Sequence, residues 1–141
     1  MSTGPLSEGR TLAAVAAGGA IGSLGRWAVA LAAYGAVWAT LLVNLTGAIA
    51  MGLAVVWLSR GITHPLARPF LTVGLLGGWT TYSSFALDAH GLVGDGLLGL
   101  LGYLVATIGL GVAAAAAGLA LGDRIWHGDA VADEIIAEEE L

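Results

Sequence analysis

The sequence has no cysteine, no lysine and only three prolines, and it sets five positive charges against ten negative ones in 141 residues. Without cysteine there is no disulfide, no thiolate metal site and no thiol nucleophile. The three histidines, His64, His90 and His127, have no second His or Cys at ligand spacing, so they do not build a structural zinc site. Charged residues are 11% of the chain, less than half the roughly 25% of an ordinary soluble domain. That scarcity excludes a soluble enzyme, and a net charge of −5 gives no basic surface for nucleic acid. What is abundant is apolar: 57% hydrophobic residues, 23 glycines and a mean hydropathy of +0.87. Such a composition places the chain in a bilayer.

A helix that crosses the hydrocarbon needs about 20 mostly apolar residues. Four stretches fit: Thr11–Ala33 with the single charge Arg26, then Val37–Leu58, Phe70–Leu87 and Gly96–Gly122, all three uncharged. The connections Tyr34–Ala36, Ser59–Pro69 and Asp88–Asp95 are short, so neighbouring helices run antiparallel and both termini emerge on one side. Pro69 suits the first position of the helix it opens. The segment Met1–Arg10 sets Glu8 against Arg10, and no small-residue cleavage site follows the first apolar run, which is therefore a retained helix. The predicted fold is an all-α integral membrane protein of four transmembrane helices, the third broken near its middle, with residues 1–122 as one four-helix domain. From Asp123 onward the chain changes character: residues 123–141 hold seven acids, one arginine and the run Glu138-Glu139-Glu140, a solvated tail.

The pairs Gly18/Gly22, Gly74/Gly78 and Gly118/Gly122 have the small-xxx-small spacing that lets helix backbones approach closely in lipid. The run Gly74-Leu75-Leu76-Gly77-Gly78-Trp79-Thr80-Thr81 does more, because it gathers poor helix formers at mid-membrane depth. A break there would leave carbonyls unpaired, which is tolerated where they line a cavity or bind an ion.

Arg26 would cost about 2.5–3.5 kcal/mol at the bilayer centre, so it either snorkels to an interface or faces an aqueous vestibule that attracts anions. Thr40 and Asn44 are four apart and share a helix face. A carboxamide in lipid demands a partner, which leaves interhelical hydrogen bonding and a pore lining as alternatives. Tyr82 and Phe85 share a face of the third helix with Ser83 and Ser84 between them. Ring edges carry the positive end of the aromatic quadrupole and can receive a small anion, although the same spacing also serves core packing. Tyr103, Thr107 and Gly111 recur at every fourth position and draw a narrow polar track down the last helix. Trp38, Trp57 and Trp126 fall at span ends, as in an interfacial belt, whereas Trp79 is mid-span.

Together these residues resemble the Fluc/CrcB family of fluoride channels. Gly18-Gly19-Ala20-Ile21-Gly22-Ser23-Leu24-Gly25-Arg26-Trp27 is similar to the family's first-helix signature, and Thr40-Leu41-Leu42-Val43-Asn44-Leu45-Thr46-Gly47-Ala48 to its second. Gly74 through Phe85 is similar to the third, the most diagnostic of the set. The resemblance covers about Ala16 to Gly122 with the motifs in order. It implies a passive, fluoride-selective channel, not an enzyme, in the cell membrane, built as an antiparallel dimer of four-helix subunits with two pores at the interface. By motif position, Gly77 and Thr80 would offer backbone carbonyls to a central structural sodium ion that is not transported. Asn44 would donate to fluoride, Tyr82 and Phe85 would take the two aromatic-box positions, Thr107 and Tyr103 would lie on the polar track, and Arg26 would face a vestibule. The chain departs from the family at Tyr82, where phenylalanine is usual, at Ala86 for a serine, at Asp88 for a glutamate and at Gly111, where a hydroxyl residue can sit. The extra phenol is expected to alter the conduction rate before selectivity.

The arginines add a direction. Arg10, Arg60, Arg68 and Arg124 lie on the side of the termini, and the opposite loops hold none. By the positive-inside rule both termini are cytoplasmic. A homodimer of two opposite orientations needs almost no such bias, so a heterodimer with a related, oppositely biased subunit stands beside the homodimer. Two rivals to the channel are weighed. A small multidrug-type transporter would need a membrane carboxylate for proton coupling, and no Asp or Glu occurs between Thr11 and Leu87. A non-conducting membrane assembly subunit would suit the glycines but does not require the ordered polar positions.

Overall fold

The structure, a computed structural model, describes residues 8–34, 36–60 and 64–139, except the side chains of residue 95 and residues 127–139. Every regular element among the described residues is helical. Lipid offers the backbone no partner but itself, and the apolar runs contain no interior proline to interrupt the ladder. Helix α1 spans Glu8–Ala32 and α2 spans Val37–Arg60, close to the limits read from hydropathy.

The stretch expected as the third span, Phe70–Leu87, is not one long helix. It begins as a π-helix, Pro69–Leu76, and continues as one α-turn, α3, Gly77–Trp79. Thr80 (φ −78°, ψ 158°) and Thr81 (φ −147°, ψ 126°) are then extended, and α4 restarts at Tyr82 and runs to Leu92. A 3₁₀ turn, Val93–Asp95, and Gly96 at φ 109° redirect the chain into α5, Leu97–Glu139. Among the described residues three helices are therefore long and apolar enough to cross a membrane: α1, α2 and Leu97–Trp126 of α5. The remaining segment falls short because glycines and threonines replace the residues that would hold a continuous ladder. The acidic run Glu138–Glu140 expected as a solvated tail falls outside the described side chains.

Glycine makes the packing. A methyl on Gly18 or Gly22 would strike the backbone of Phe70 or Leu75, and one on Gly78 would lie 2.6 Å from the Gly19 carbonyl. Thus α1 seats directly on the π-helix and α3. On the other side, a methyl on Gly52 would lie 2.5 Å from the Ala115 carbonyl, and one on Gly118 would strike Ile49, so α2 and α5 touch backbone to backbone. In lipid, dispersion at this range is what holds helices together.

One end of the bundle carries a marker. Arg60 at the end of α2 pairs with Asp123 of α5 at 2.7 Å. The pair is exposed enough that it contributes at most about 1 kcal/mol. Its use is positional: together with Trp57 and Trp126, which line one small cavity there, it sets the ends of α2 and of the apolar part of α5 at the same level.

Candidate functional site

The site is the extended pair Thr80-Thr81 and what reaches it. Asn44, in the middle of α2, meets Thr81 with both ends of its carboxamide. Its Oδ1 accepts from the Thr81 amide at 2.8 Å, and its Nδ2 donates to the Thr81 carbonyl at 3.0 Å. Of the two alternatives left open for this amide, the interhelical hydrogen bond is therefore made, and one Nδ2 hydrogen remains beyond it. Thr81 is also the N-cap of α4: its Oγ1 accepts from the Ser84 amide at 3.1 Å, satisfying a donor that the new helix cannot. Its hydroxyl is 3.2 Å from those of both Ser83 and Ser84.

These bonds sort the carbonyls of the break. Leu76's carbonyl keeps the Thr80 amide at 3.0 Å and the Thr80 hydroxyl at 2.9 Å. Gly78's accepts from Arg26 Nε at 3.0 Å, and Thr81's is held by Asn44. In an uninterrupted helix the carbonyls of Gly77 and Thr80 would take the amides of Thr81 and Ser84, but both amides are spent on side chains. The oxygens of Gly77 and Thr80 are thus released, on a segment where Gly77 is exposed. Among the described residues no three His, Asp or Glu side chains gather for a metal, so a cation here would rely on such backbone oxygens. They are hard donors that suit sodium, and the residues present fit that ion.

Beside the break lies a cavity of about 400 Å³ lined by Ser23, Arg26, Thr40, Thr81, Ser84 and Asp88 among others. Arg26 contributes to this wall while its Nε neutralises the Gly78 carbonyl, and Thr40 is 9% exposed and borders the same space. The aromatic residues form a row. Phe85 stacks on Tyr103 of α5 with centroids 5.5 Å apart and 30° between planes, and Tyr82 tilts at 50° against Phe85 at 5.9 Å. Tyr103 donates to Asp88 Oδ2 at 3.3 Å. Thr107, one turn along α5, has a buried hydroxyl without a hydrogen bond of ordinary geometry. Tyr82, by contrast, is 80% exposed.

The structure therefore gathers Asn44, Thr40, Ser84 and Arg26 around the break, and Tyr82, Phe85, Tyr103 and Thr107 along α4 and α5. Ser83 lies beside Thr81 on an exposed face. Sequence reasoning did not single out Thr81, the acceptor role of Gly78, or Thr46, whose hydroxyl receives the Trp79 indole N–H at 3.0 Å. A threonine just ahead of a new apolar helix is a capping signal and could have identified Thr81. The other two contacts cross between elements and leave no local trace.

Residues 13–119 match the family described as "CrcB-like protein, Camphor Resistance (CrcB)". The chain is 43% identical over 122 residues to a protein of Agrobacterium fabrum named "Fluoride-specific ion channel FluC", a match covering 82% of this chain and 98% of that one. A protein of the same name from Rhizobium meliloti is 42% identical, with 76% and 91% covered. "Fluoride-specific ion channel FluC 2" of Nocardia farcinica is 43% identical, with 79% and 81% covered. With a helical framework and a segment that breaks at its threonine pair, matched along nearly its whole apolar length, this chain belongs to the CrcB family.

Proposed function

We propose that the chain is a subunit of a passive fluoride-selective channel of the cell membrane that lowers intracellular fluoride and so gives fluoride resistance. The observation that carries this reading is the row Tyr82, Phe85 and Tyr103 beside a carboxamide with one hydrogen still to give, in a chain related to fluoride-specific channels. Fluoride is small and strongly hydrated, so a path for it must replace water with donors weak enough to release it again. The spare Nδ2 hydrogen of Asn44, the hydroxyls of Ser83, Ser84, Thr40 and Thr107, and the ring edges of Tyr82 and Phe85 are such donors. Arg26 adds positive potential at the cavity mouth. Fluoride enters a cell as uncharged HF and ionises in the less acidic interior, and the channel returns the anion down its gradient.

In this reading the Pro69–Leu92 segment as a whole is the third of four membrane crossings. Two subunits pair antiparallel through the faces that expose Tyr82 and Gly77. Gly77 and Thr80 of each subunit hold a central sodium ion, which when bound supplies a fixed positive charge at the interface. Efflux of fluoride against chloride from liposomes loaded with the purified chain tests the function. Selective fluoride release supports it, and equal or absent release of both ions counts against it. Tyr82→Phe, which removes the phenol and keeps the ring edge, is expected to change the fluoride rate several-fold while leaving chloride excluded. Loss of selectivity in that variant would show the hydroxyl to be a filter.

The partner is read from charge. Arg10, Arg60, Arg68 and Arg124 load one side, and Arg26 does not balance them from the other, since it is turned inward to the Gly78 carbonyl. The Arg60–Asp123 pair supports placing Arg60 and Arg124 at one membrane surface. The subunit then inserts mainly with its termini in the cytoplasm and pairs with a related chain of opposite bias. A C-terminal tag should be labelled from the cytoplasmic side only. Equal labelling from both sides would return the assembly to a dual-topology homodimer.

A further inference from the structure

We infer that Asn44 and Thr81 are positioning residues for the sodium-holding carbonyls: by capturing the amides of Thr81 and Ser84, their side chains keep the oxygens of Gly77 and Thr80 out of the helical ladder. The inference rests on the sodium reading above and adds to it a cause within this chain.

A run of backbone at mid-membrane depth has no water to satisfy it, so each amide takes the nearest acceptor. Without a competitor, the Thr81 amide would return to the Gly77 carbonyl and the Ser84 amide to that of Thr80, and the break would heal into a helix. Each amide instead has a side-chain oxygen at 2.8 Å or 3.1 Å. The Asn44 bridge is double, so removing it would leave both the amide and the carbonyl of Thr81 searching for partners. Arg26 works in the opposite sense, since its bond to the Gly78 carbonyl removes that oxygen from competition for a cation. The carbonyls of Gly78 and Thr81 are engaged by side-chain donors, those of Gly77 and Thr80 have lost their helical amides to side-chain acceptors, and so side chains do the sorting.

A consequence follows for the fluoride path. Because Oδ1 is committed to the Thr81 amide, the carboxamide cannot flip, and its Nδ2 edge is held in one direction. The residue that would donate to the anion and the oxygens that would hold the cation are thus parts of one hydrogen-bonded unit.

The test is sodium-dependent stabilisation of the full-length protein in detergent. The midpoint of thermal unfolding is followed as sodium chloride replaces N-methylglucamine chloride at constant ionic strength. A ligand bound only by the folded state raises that midpoint by mass action. In the unaltered protein sodium should raise it. In Asn44→Ala or Thr81→Val the sodium needed for half of the effect should rise about tenfold, the worth of one regained backbone hydrogen bond. Thr81→Ser keeps the capturing oxygen and should keep the sodium response. Two variants guard against one that fails to fold, and a weakened response in either supports the inference. An unchanged response in both overturns it while leaving the sodium reading intact. No sodium response in the unaltered protein overturns the sodium reading itself, and the inference with it.

Discussion

Phe85→Ile is expected to lower fluoride efflux from proteoliposomes by at least about tenfold, with chloride efflux still at background. Phe85 is the middle ring of three, stacked on Tyr103 at 5.5 Å and tilted against Tyr82 at 5.9 Å. Each such ring contact is worth about 0.5–1.5 kcal/mol beyond its buried area, and losing two amounts to roughly ten- to a hundredfold in an equilibrium or a rate. The anion loses more directly still, because isoleucine has no ring edge with which to meet it. Isoleucine has a comparable reach and leaves no large void, so the unfolding midpoint should fall only by what those two ring contacts contribute. Unchanged efflux would remove the row from the conduction path.

Gly22→Ala is expected to destabilise the fold by about 1–3 kcal/mol or more, although alanine is normally the better helix former. The added methyl would strike the Leu75 carbonyl and come within 2.8 Å of the Trp79 amide. Both are backbone atoms, which cannot turn aside as a side chain would. Accommodating it means moving α1 off the π-helix and α3, and with them the Arg26 bond to Gly78. Against a total stability of about 5–15 kcal/mol, the yield of monodisperse protein should fall visibly. Gly9→Ala is the control. Nothing lies within 4 Å of the methyl it would add, and that substitution, in the first turn of α1, should leave stability within about 0.5 kcal/mol of the original. The contrast expected of one substitution at two glycines is read by size-exclusion profile and thermal midpoint. Equal effects would mean that the close approach at Gly22 is not what holds the segment.

Hydropathy located α1, α2 and the apolar part of α5 to within a few residues, because a bilayer leaves a long uncharged run few options but helix. The composite segment was legible as a poor helix with a break expected near its middle. Its glycines and threonines signalled poor helix, but not a π-helical start, since that register depends on what α1 allows the backbone to do at Gly18 and Gly22. At Asn44 the sequence left two roles open, a bond between helices and a pore lining, and the structure assigns the first while leaving a hydrogen for the second. Arg26 was legible as costly in lipid and therefore in need of a purpose. That its Nε would reach a carbonyl 52 residues away required the fold. Long-range partners of this kind carry no periodicity, so no spacing rule finds them.

The bridge from Asn44 to Thr81 has a bearing on how the ancestry of such a protein could be read. Asn44 uses its side chain, but Thr81 answers with its peptide group. Nineteen of the twenty residue types supply that peptide group in full, and only proline lacks the amide. A substitution at one end therefore has no compensating change available at the other, and the pair would leave no record of joint variation among descendants. Any method that finds neighbours by correlated change would miss this contact, however closely it ties the two segments together.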